Sequence, residues 1–350
     1  MDGRIITIPS GSRITAIDRL IVTARGSLID ADLTNFPVGI EIPAATGFLY
    51  GKGATDWNYL HARSCGQECY VEVDQWDTDN DTAILWIKVP AIRSGNDHKI
   101  ELYFGADNTT TYVGETGDTA AQNVWDSNFV AVYHMSQDPT GGSGCILDST
   151  SNGNNGTPAG SMTSGDLVDA GLGKALDFDG TDDLINCGND SSLANISNIT
   201  IESYIKLKDL DGDYAWSHLI NKTNWFISTD PSNNRSIFGA NYSTENGRWS
   251  FDEFDTLSFF YFALRYDMTS SANDPIVDIS SVSKSITEYE PPIGTYISDA
   301  SENLYIGNSS DANRGIYGQF SEVRISNTAR SAAWIKATNA VLQKTLVTLS

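Results

Sequence analysis

Short segments in which apolar and polar residues alternate occur throughout this 350-residue chain, and they constrain its fold more than any other feature. Alternation with a period of two is typical of β-strands that bury one face. In the segment 199–209 (ITIESYIKLKD), the apolar face contains Ile199, Ile201, Ser203, Ile205 and Leu207. Long helical stretches rich in Ala, Leu, Glu and Lys are absent from the sequence. We therefore predict an all-β protein whose many short strands are joined by turns.

Five of the predicted strands lie in the first third of the chain. They are 19–24 (RLIVTA), 35–42 (NFPVGIEI), 69–77 (CYVEVDQWD), 82–90 (TAILWIKVP) and 98–106 (HKIELYFGA). Clusters of Asp, Asn, Gly and Ser separate these segments, and such residues favour turns because they tolerate left-handed backbone or bond to their own main chain.

Two helices are also expected. A short one is predicted around 120–125, and a docked C-terminal helix is predicted within 331–343 because its apolar residues form one stripe. The stripe contains Trp334, Ile335, Thr338, Val341 and Leu342. The closing residues TLVTLS are expected to form an edge strand.

The charge of the chain limits its partners. A net charge of −23 and an isoelectric point near 4.3 disfavour binding to nucleic acids and to anionic lipid surfaces. No run of 18 apolar residues is present, so we predict no membrane insertion. The N-terminal sequence lacks the features of a secretory signal, which favours a mature form or export by assembly into a phage particle. The four cysteines are too few for a disulfide scaffold, and a bridge between Cys145 and Cys187 stays open.

Four phrases in the second half of the chain follow one another in a specific order. They are CILDSTSNGNNGTPAG (145–160), GKALDFDGTDDLINCG (173–188), ITIESYIKLKD (199–209) and GIYGQFSEVRISNTARSAAWI (315–335). With this order and spacing, residues 130–350 resemble the LamG-type jelly roll, which is a concanavalin A-like β-sandwich. The resemblance implies a fold that binds ligands far more often than it catalyses reactions.

A second resemblance covers residues 18–115. The phrases LTNFPVGIEI, EVDQWD, ILWIKVP and IELYFGADN resemble the uncharacterised β-domain that often precedes a LamG jelly roll in bacterial and phage surface proteins. Together the resemblances imply two tandem β-sandwich domains, of which the C-terminal one is a concanavalin A-like jelly roll with a short C-terminal helix. The predicted division is an extended N-terminal arm at 1–17, a β-sandwich domain at 18–118 and the LamG jelly roll at 119–350.

One segment of the first domain raises the question of catalysis. In laminarinase-type glycoside hydrolases, one carboxylate of a Glu-x-Asp-x-(x)-Glu strand attacks the sugar and another protonates the leaving oxygen. Glu72, Asp74 and Asp77 resemble that strand. However, the last acid is Asp instead of Glu, and the segment lies outside the jelly roll. The sequence also contains no Gly-x-Ser-x-Gly elbow, so we predict a protein that is not an enzyme.

The jelly-roll resemblance also implies a structural Ca²⁺ where the opening loop meets the closing strand. The matching residues are Asp148, Asn152 and Glu322, which offer the oxygen ligands that calcium prefers. Ser321 stands where relatives commonly have an aspartate, so one expected ligand is missing. A second group of acids, for which a solvated turn is the alternative interpretation, contains Asp177, Asp179, Asp182 and Asp183.

Carbohydrate binding is the function that the resemblance most often implies. Saccharides stack on exposed aromatic rings and form hydrogen bonds with neighbouring polar side chains. The region 214–251 is rich in both, and the predicted carbohydrate-binding residues are Trp216, Arg235, Tyr242, Arg248 and Trp249. The alternative is that strand alternation buries about half of these rings. Tyr242 and Arg248 lie in a turn-rich segment and are expected to be exposed.

We thus predict a non-enzymatic structural or adhesion protein of a virion or cell surface, such as a phage tail, fibre or capsid-decoration component that presents a glycan-binding jelly roll. The N-terminal arm is expected to add a strand to the sheet edge of another virion or surface protein, through Arg4, Ile5, Ile6 and Ile8. A homo-oligomer is a further alternative. Two other functions stay open, namely a secreted polysaccharide-degrading glycoside hydrolase or its accessory binding module, and an architectural module without a ligand. The expected location is the virion surface, with the bacterial cell surface or the extracellular space as the alternative.

Overall fold

The computed structural model describes residues 19–109, 111–208, 216–252, 254 and 258–350. The four arm residues predicted to attach to a partner lie outside these ranges. The chain divides into two compact units. The first contains the described residues up to Asp126 together with Ala332–Ser350, and the second contains Ser127–Ser331.

Short strands account for most of the regular structure in the described residues. Strands of the first unit are β1 (Arg19–Ala24), β2 (Leu33–Ile42), β3 (Leu60–Ser64), β4 (Gln67–Glu68), β5 (Val71–Asp77), β6 (Thr82–Ile92), β7 (His98–Phe104) and β8 (Val113–Glu115). The second unit contains β9 (Phe129–Tyr133), β10 (Thr157–Ala159), β11 (Leu167–Asp169), β12 (Lys174–Asp179), β13 (Leu184–Asn186), β14 (Asn198–Leu207), β15 (Ser217–Asn221), β16 (Trp225–Asp230), β17 (Arg235–Ala240), β18 (Gly247–Asp252), β19 (Phe260–Asp267), β20 (Ile276–Ile279), β21 (Val282–Ser283), β22 (Thr287–Glu290), β23 (Tyr305–Ile306) and β24 (Tyr317–Ser326). The chain returns to the first unit in β25 (Val347–Leu349), and its α-helices are α1 (Thr119–Gln122) and α2 (Ala332–Leu342).

The first unit is a β-sandwich of two sheets. One sheet has the strand order β25-β1-β7-β3-β4, and the other has the order β2-β6-β5-β8. The neighbours are antiparallel except for β5 and β8, which pair in parallel. Alternation places Phe36, Val38 and Ile40 of β2 in the core, where each is fully buried. A bulge between Val73 and Gln75 shifts the register of β5 against β6.

The C-terminal segment belongs to the first unit, so the predicted boundary of the second domain was wrong. Helix α2 packs on β2, and the Trp334 ring contacts Phe36 edge-on with ring centroids 4.8 Å apart. An ion pair joins Lys336 to Asp30 at 2.6 Å. Strand β25 adds to the open edge of β1. The helix stripe and the strand edge were visible in the sequence, but their partners lie about 300 residues earlier in the chain.

The second unit is also a two-sheet sandwich. Its sheets have the strand orders β10-β13-β23-β15-β16-β17-β18-β22 and β11-β12-β24-β14-β19-β20-β21. The first half of β24 pairs with β12, its second half pairs with β9, and its other side pairs with β14. Ile201 and Phe262 from one sheet belong to the same apolar core as Phe238 and Trp249 from the other.

The predicted fold class is confirmed, because the structure is almost entirely β, contains two β-sandwich units and ends in a short helix followed by an edge strand. All four cysteines are free, so Cys145 and Cys187 form no bridge. None of the helices in the described residues is long and apolar enough to cross a membrane.

Candidate functional site

A polar cleft of about 270 Å³ lies in the second unit. It is bordered by the loop that leads into β10, by the turn that follows β13 and by the residue two positions before β23. Half of the ten lining residues are asparagines, namely Asn154, Asn155, Asn186, Asn189 and Asn303. The concentration of amide side chains gives this cleft a lining of hydrogen-bond donors and acceptors.

The loop before β10 is wound around the carboxylate of Asp148. Its Oδ1 accepts hydrogen bonds from the backbone N–H groups of Val132 (3.0 Å) and Thr150 (2.9 Å). Its Oδ2 accepts from the Asn154 backbone N–H (2.9 Å) and from the Thr150 hydroxyl (2.8 Å). The Asp148 side chain therefore positions the asparagine side of the cleft. The Asx-type bonding expected of Asp in such a loop explains why the sequence folds this way.

Four of the lining amides use only one end to hold the protein together. These bonds join Asn155 Oδ1 to the Asp148 N–H (2.9 Å), Asn186 Oδ1 to the Gly188 N–H (2.9 Å), Asn189 Nδ2 to the Ser301 carbonyl (3.3 Å) and Asn303 Nδ2 to the Tyr305 hydroxyl (3.3 Å). Within the described residues, the opposite end of each amide has no protein partner. Two amide donors and two amide acceptors are thus available in one cleft.

The cleft residues favour binding over covalent chemistry. Burial raises the pKa of the Cys187 thiol to about 12, so it stays protonated and is a poor nucleophile at neutral pH. Hydrogen bonds from Ser192 lower the pKa of Asp190, which is therefore a carboxylate. The sequence placed most of these residues in loops or turns but offered no sign that they converge.

Two of the predicted carbohydrate-binding residues are core residues, so this part of the prediction was wrong. Tyr242 is 3% exposed, and its hydroxyl bonds to the Tyr266 hydroxyl at 2.7 Å. Trp249 is fully buried, and its Nε1 donates to Asp274. Strand alternation directs Trp249 into the core, as the alternative interpretation had it. A buried ring offers no face on which a sugar could stack.

The other three predicted residues are half-buried and engaged with their own sheet. Arg235 donates from Nε to the buried Asp230 (2.8 Å). Arg248 donates to backbone carbonyls and lies over the Phe226 ring, 5.0 Å from its centroid. Trp216 also contacts Phe226, with ring centroids 6.3 Å apart. None of the five predicted residues is among those that line the asparagine cleft.

Two of the three predicted calcium ligands, Asp148 and Glu322, already bond to protein groups through their carboxylates. Asp148 already accepts the four hydrogen bonds described above. Asn152 donates from Nδ2 to the backbone carbonyls of residues 129 and 130. Glu322 bonds to His134 Nδ1 (2.5 Å) and accepts from Arg324 Nε (3.0 Å). Asp148 and Glu322 are both buried, so protein donors bond to their carboxylates, whereas Asn152 is exposed. Sequence spacing does not reveal this difference.

The second acidic group is partly brought together. One ligand oxygen from each of Asp179, Asp182 and Asp183 lies within 4.8 Å of the other two. It is the one group of at least three candidate metal ligands among the described residues. Burial, with the nearby charge of Asp179, raises the pKa of Asp183 to about 6. Asp177, the fourth acid named from the sequence, instead pairs with Lys208 at 2.6 Å.

The segment that resembled a catalytic strand has a structural role. Glu72 is fully buried in the first unit and accepts a hydrogen bond from Trp125 Nε1 at 2.6 Å. The bulge in β5 occurs at Asp74. A carboxylate in this position is inaccessible to a polysaccharide.

The match to a known protein family covers a minor part of the chain. The family described as "Domain of unknown function (DUF2341)" matches residues 62–127. The comparison with curated proteins gives no match.

Several solved structures are similar to this chain at low identity. One is the binding domain of Paraclostridial Mosquitocidal Protein 1, with 14% identity, 61% of this chain and 52% of that chain covered, and a TM-score of 0.46. Another is domain 4 of AbnA, a GH43 extracellular arabinanase from Geobacillus stearothermophilus, in complex with arabinotriose, with 17% identity, 62% and 98% coverage, and a TM-score of 0.41. A third is the receptor binding domain of botulinum neurotoxin D, with 14% identity, 61% of this chain and 52% of that chain covered, and a TM-score of 0.43. This chain spans about half the length of the mosquitocidal-protein and neurotoxin domains. Likenesses with TM-scores this low carry no conclusion about function.

Proposed function

We propose that the second unit is a non-catalytic carbohydrate-binding module whose ligand occupies the asparagine cleft. The observation that supports it is the set of four amides at Asn155, Asn186, Asn189 and Asn303, each with one unused end. A saccharide hydroxyl both donates and accepts a hydrogen bond, and a primary amide offers the matching acceptor and donors. The cleft therefore suits a ligand rich in neighbouring hydroxyl groups.

The size of the cleft and the net charge of the chain narrow the ligand class. Small-molecule sites typically measure ~300–1,000 Å³, and this cleft of about 270 Å³ is slightly smaller than that range. It accommodates one or two sugar rings, such as the end of an oligosaccharide. The net charge of −23 repels anionic ligands such as sulfated or sialylated glycans. The ligand class is therefore neutral saccharides.

The wider biological role remains part of the proposal. Display of this module on a virion or cell surface, with attachment through the arm residues 4–8, rests on the sequence resemblances. Deletion of residues 1–14 should abolish assembly with the partner and leave the Tm of both units unchanged. Assembly that survives the deletion refutes the attachment role of the arm.

The cleft is tested by a glycan array of neutral oligosaccharides, followed by isothermal titration calorimetry with the strongest ligands. The variants are Asn189→Ala and Asn303→Ala, since each amide makes only one weak protein contact. The matched control is Asn96→Ala in the first unit, where an exposed amide donates to the Ser94 carbonyl at 3.0 Å.

Each cleft variant should weaken binding by about 3- to 10-fold, because one hydrogen bond is worth about 0.5–1.5 kcal/mol. The double variant should weaken it more, and the control should bind like the unmodified protein. Equal binding by all variants would refute the cleft as the site. An array without any bound glycan would instead favour an architectural module.

A further inference from the structure

The turn between β12 and β13 carries three carboxylates on a rigid backbone. Gly180 has a left-handed φ of 82°, which residues with a side chain rarely adopt, so the turn needs glycine here. Asp179 Oδ1 accepts from the Thr181 backbone N–H at 2.7 Å. The Asn308 amide donates to the carbonyls of Thr181 and Asp183, at 3.2 Å and 3.3 Å. Protein bonds therefore fix this turn whether or not a ligand is present.

The three carboxylates lie close together without a basic partner among the described residues. Ligand oxygens of Asp179, Asp182 and Asp183 all lie within 4.8 Å of one another. Like charges at this distance repel one another, and burial strengthens the repulsion. No Lys or Arg among the described residues forms an ion pair with any of the three. By contrast, the neighbouring acids Asp177 and Asp169 pair with Lys208 and Lys174.

An independent observation comes from the buried member of the group. Asp183 is only 3% exposed. Its Oδ2 accepts from the Asp179 backbone N–H at 3.0 Å, but its Oδ1 is buried without a hydrogen-bond partner in the described residues. A buried carboxylate oxygen that has lost its water and found no donor is strongly unfavourable. A cation bound beside it would supply the missing partner.

We propose that Asp179, Asp182 and Asp183 bind one calcium ion. All three ligands are carboxylate oxygens, which suit hard cations, whereas structural zinc sites are built from cysteine and histidine. Three converging carboxylates on a turn give the irregular geometry that Ca²⁺ accepts, with waters or backbone carbonyls completing its shell, whereas Mg²⁺ demands a near-ideal octahedron. The site is distinct from the one that the sequence resemblance implied at Asp148 and Glu322.

The ion would stabilise the second unit by joining two segments. Asp182 Oδ1 also accepts from the backbone N–H and the hydroxyl of Ser161, at 3.3 Å and 3.0 Å. The ion therefore lies where the β12–β13 turn meets the segment after β10. Because it binds the folded chain and not the unfolded one, calcium should raise the Tm of the second unit.

The test uses the full chain, freed of metal with EDTA and then dialysed. Calorimetric titration with CaCl₂ should show one site with a dissociation constant of ~10⁻⁴–10⁻³ M, the range of extracellular calcium modules. Thermal denaturation should show a Tm increase with 5–10 mM CaCl₂, roughly ten times the weaker limit of that range. The same concentration of MgCl₂ should give a smaller increase.

The variants are Asp183→Asn and Asp182→Asn, and the matched control is Asp169→Asn, an exposed acid outside the group. The first two should lose the calcium-dependent increase in Tm, and the control should keep it. Their Tm values in EDTA report whether each variant folds. If Asp183→Asn does not fold, Asp182→Asn carries the test, because the Asp182 side chain is only partly buried. The absence of calcium binding by the unmodified chain overturns the proposal. Equal Tm increases with calcium and magnesium in every variant also overturn it, since they indicate only screening of the acidic surface.

Discussion

Replacement of Trp334 by alanine should destabilise the first unit and leave the second unit unchanged. Trp334 is 6% exposed, and its ring contacts Phe36 at a centroid distance of 4.8 Å. A buried tryptophan-to-alanine change costs about 3–5 kcal/mol of unfolding free energy, because it removes apolar contact and leaves a cavity. At ~4 °C per kcal/mol for a unit of this size, the Tm of the first unit should fall by about 12–20 °C.

Hydrogen exchange measured by mass spectrometry along a urea series is the suitable assay, because it assigns unfolding to individual peptides. In Trp334→Ala, peptides from β1–β8 should lose protection at lower urea, and peptides from β9–β24 should not. The matched control is Trp249→Ala, which removes a fully buried ring that stacks on Phe238 in the second unit. It should give the opposite pattern. Early loss of protection in β9–β24 of Trp334→Ala would refute the assignment of α2 to the first unit.

Three further substitutions test the interior of the second unit. Asp148→Ala leaves four hydrogen-bond donors without their acceptor, so urea denaturation should show a loss of at least ~3 kcal/mol in the free energy of unfolding; an unchanged free energy of unfolding would contradict the role of this carboxylate as their shared acceptor. Burial lowers the pKa of His218 to about 3, so below pH ~6.5 the unfolded chain binds a proton that the folded chain does not. Stability should therefore fall between pH ~6.5 and pH ~3, and His218→Gln should flatten this fall; an identical pH profile would show that His218 is not the group responsible. Gly239→Ala would place a Cβ 2.5 Å from the Phe226 ring, so differential scanning calorimetry should show a lower Tm, whereas an unchanged Tm would mean that the ring moves aside.

The candidate sites show where prediction from sequence stopped. Tyr242 was expected at the surface because its neighbours form turns, yet its hydroxyl finds Tyr266 in the core. The DFDGTDD phrase was named as an acidic group, but only packing distinguishes its members. Asp177 has a lysine partner, whereas Asp183 is buried with one unbonded oxygen. Burial and ion pairing depend on residues far away in the chain, so they leave no trace in local composition.

Local sequence patterns were enough to predict the class of the fold and most of its elements. The segment 19–24 is a strand with the predicted bounds, and the amphipathic stripe within 331–343 is a helix. These predictions succeed because alternation and amphipathicity are local properties of neighbouring side chains. Only the folded chain shows that α2 and β25 complete the first unit and that asparagines from three separate segments share one cleft. Both outcomes require long-range pairing, in which an apolar face or an open strand edge is satisfied by whichever distant segment the whole fold brings to it.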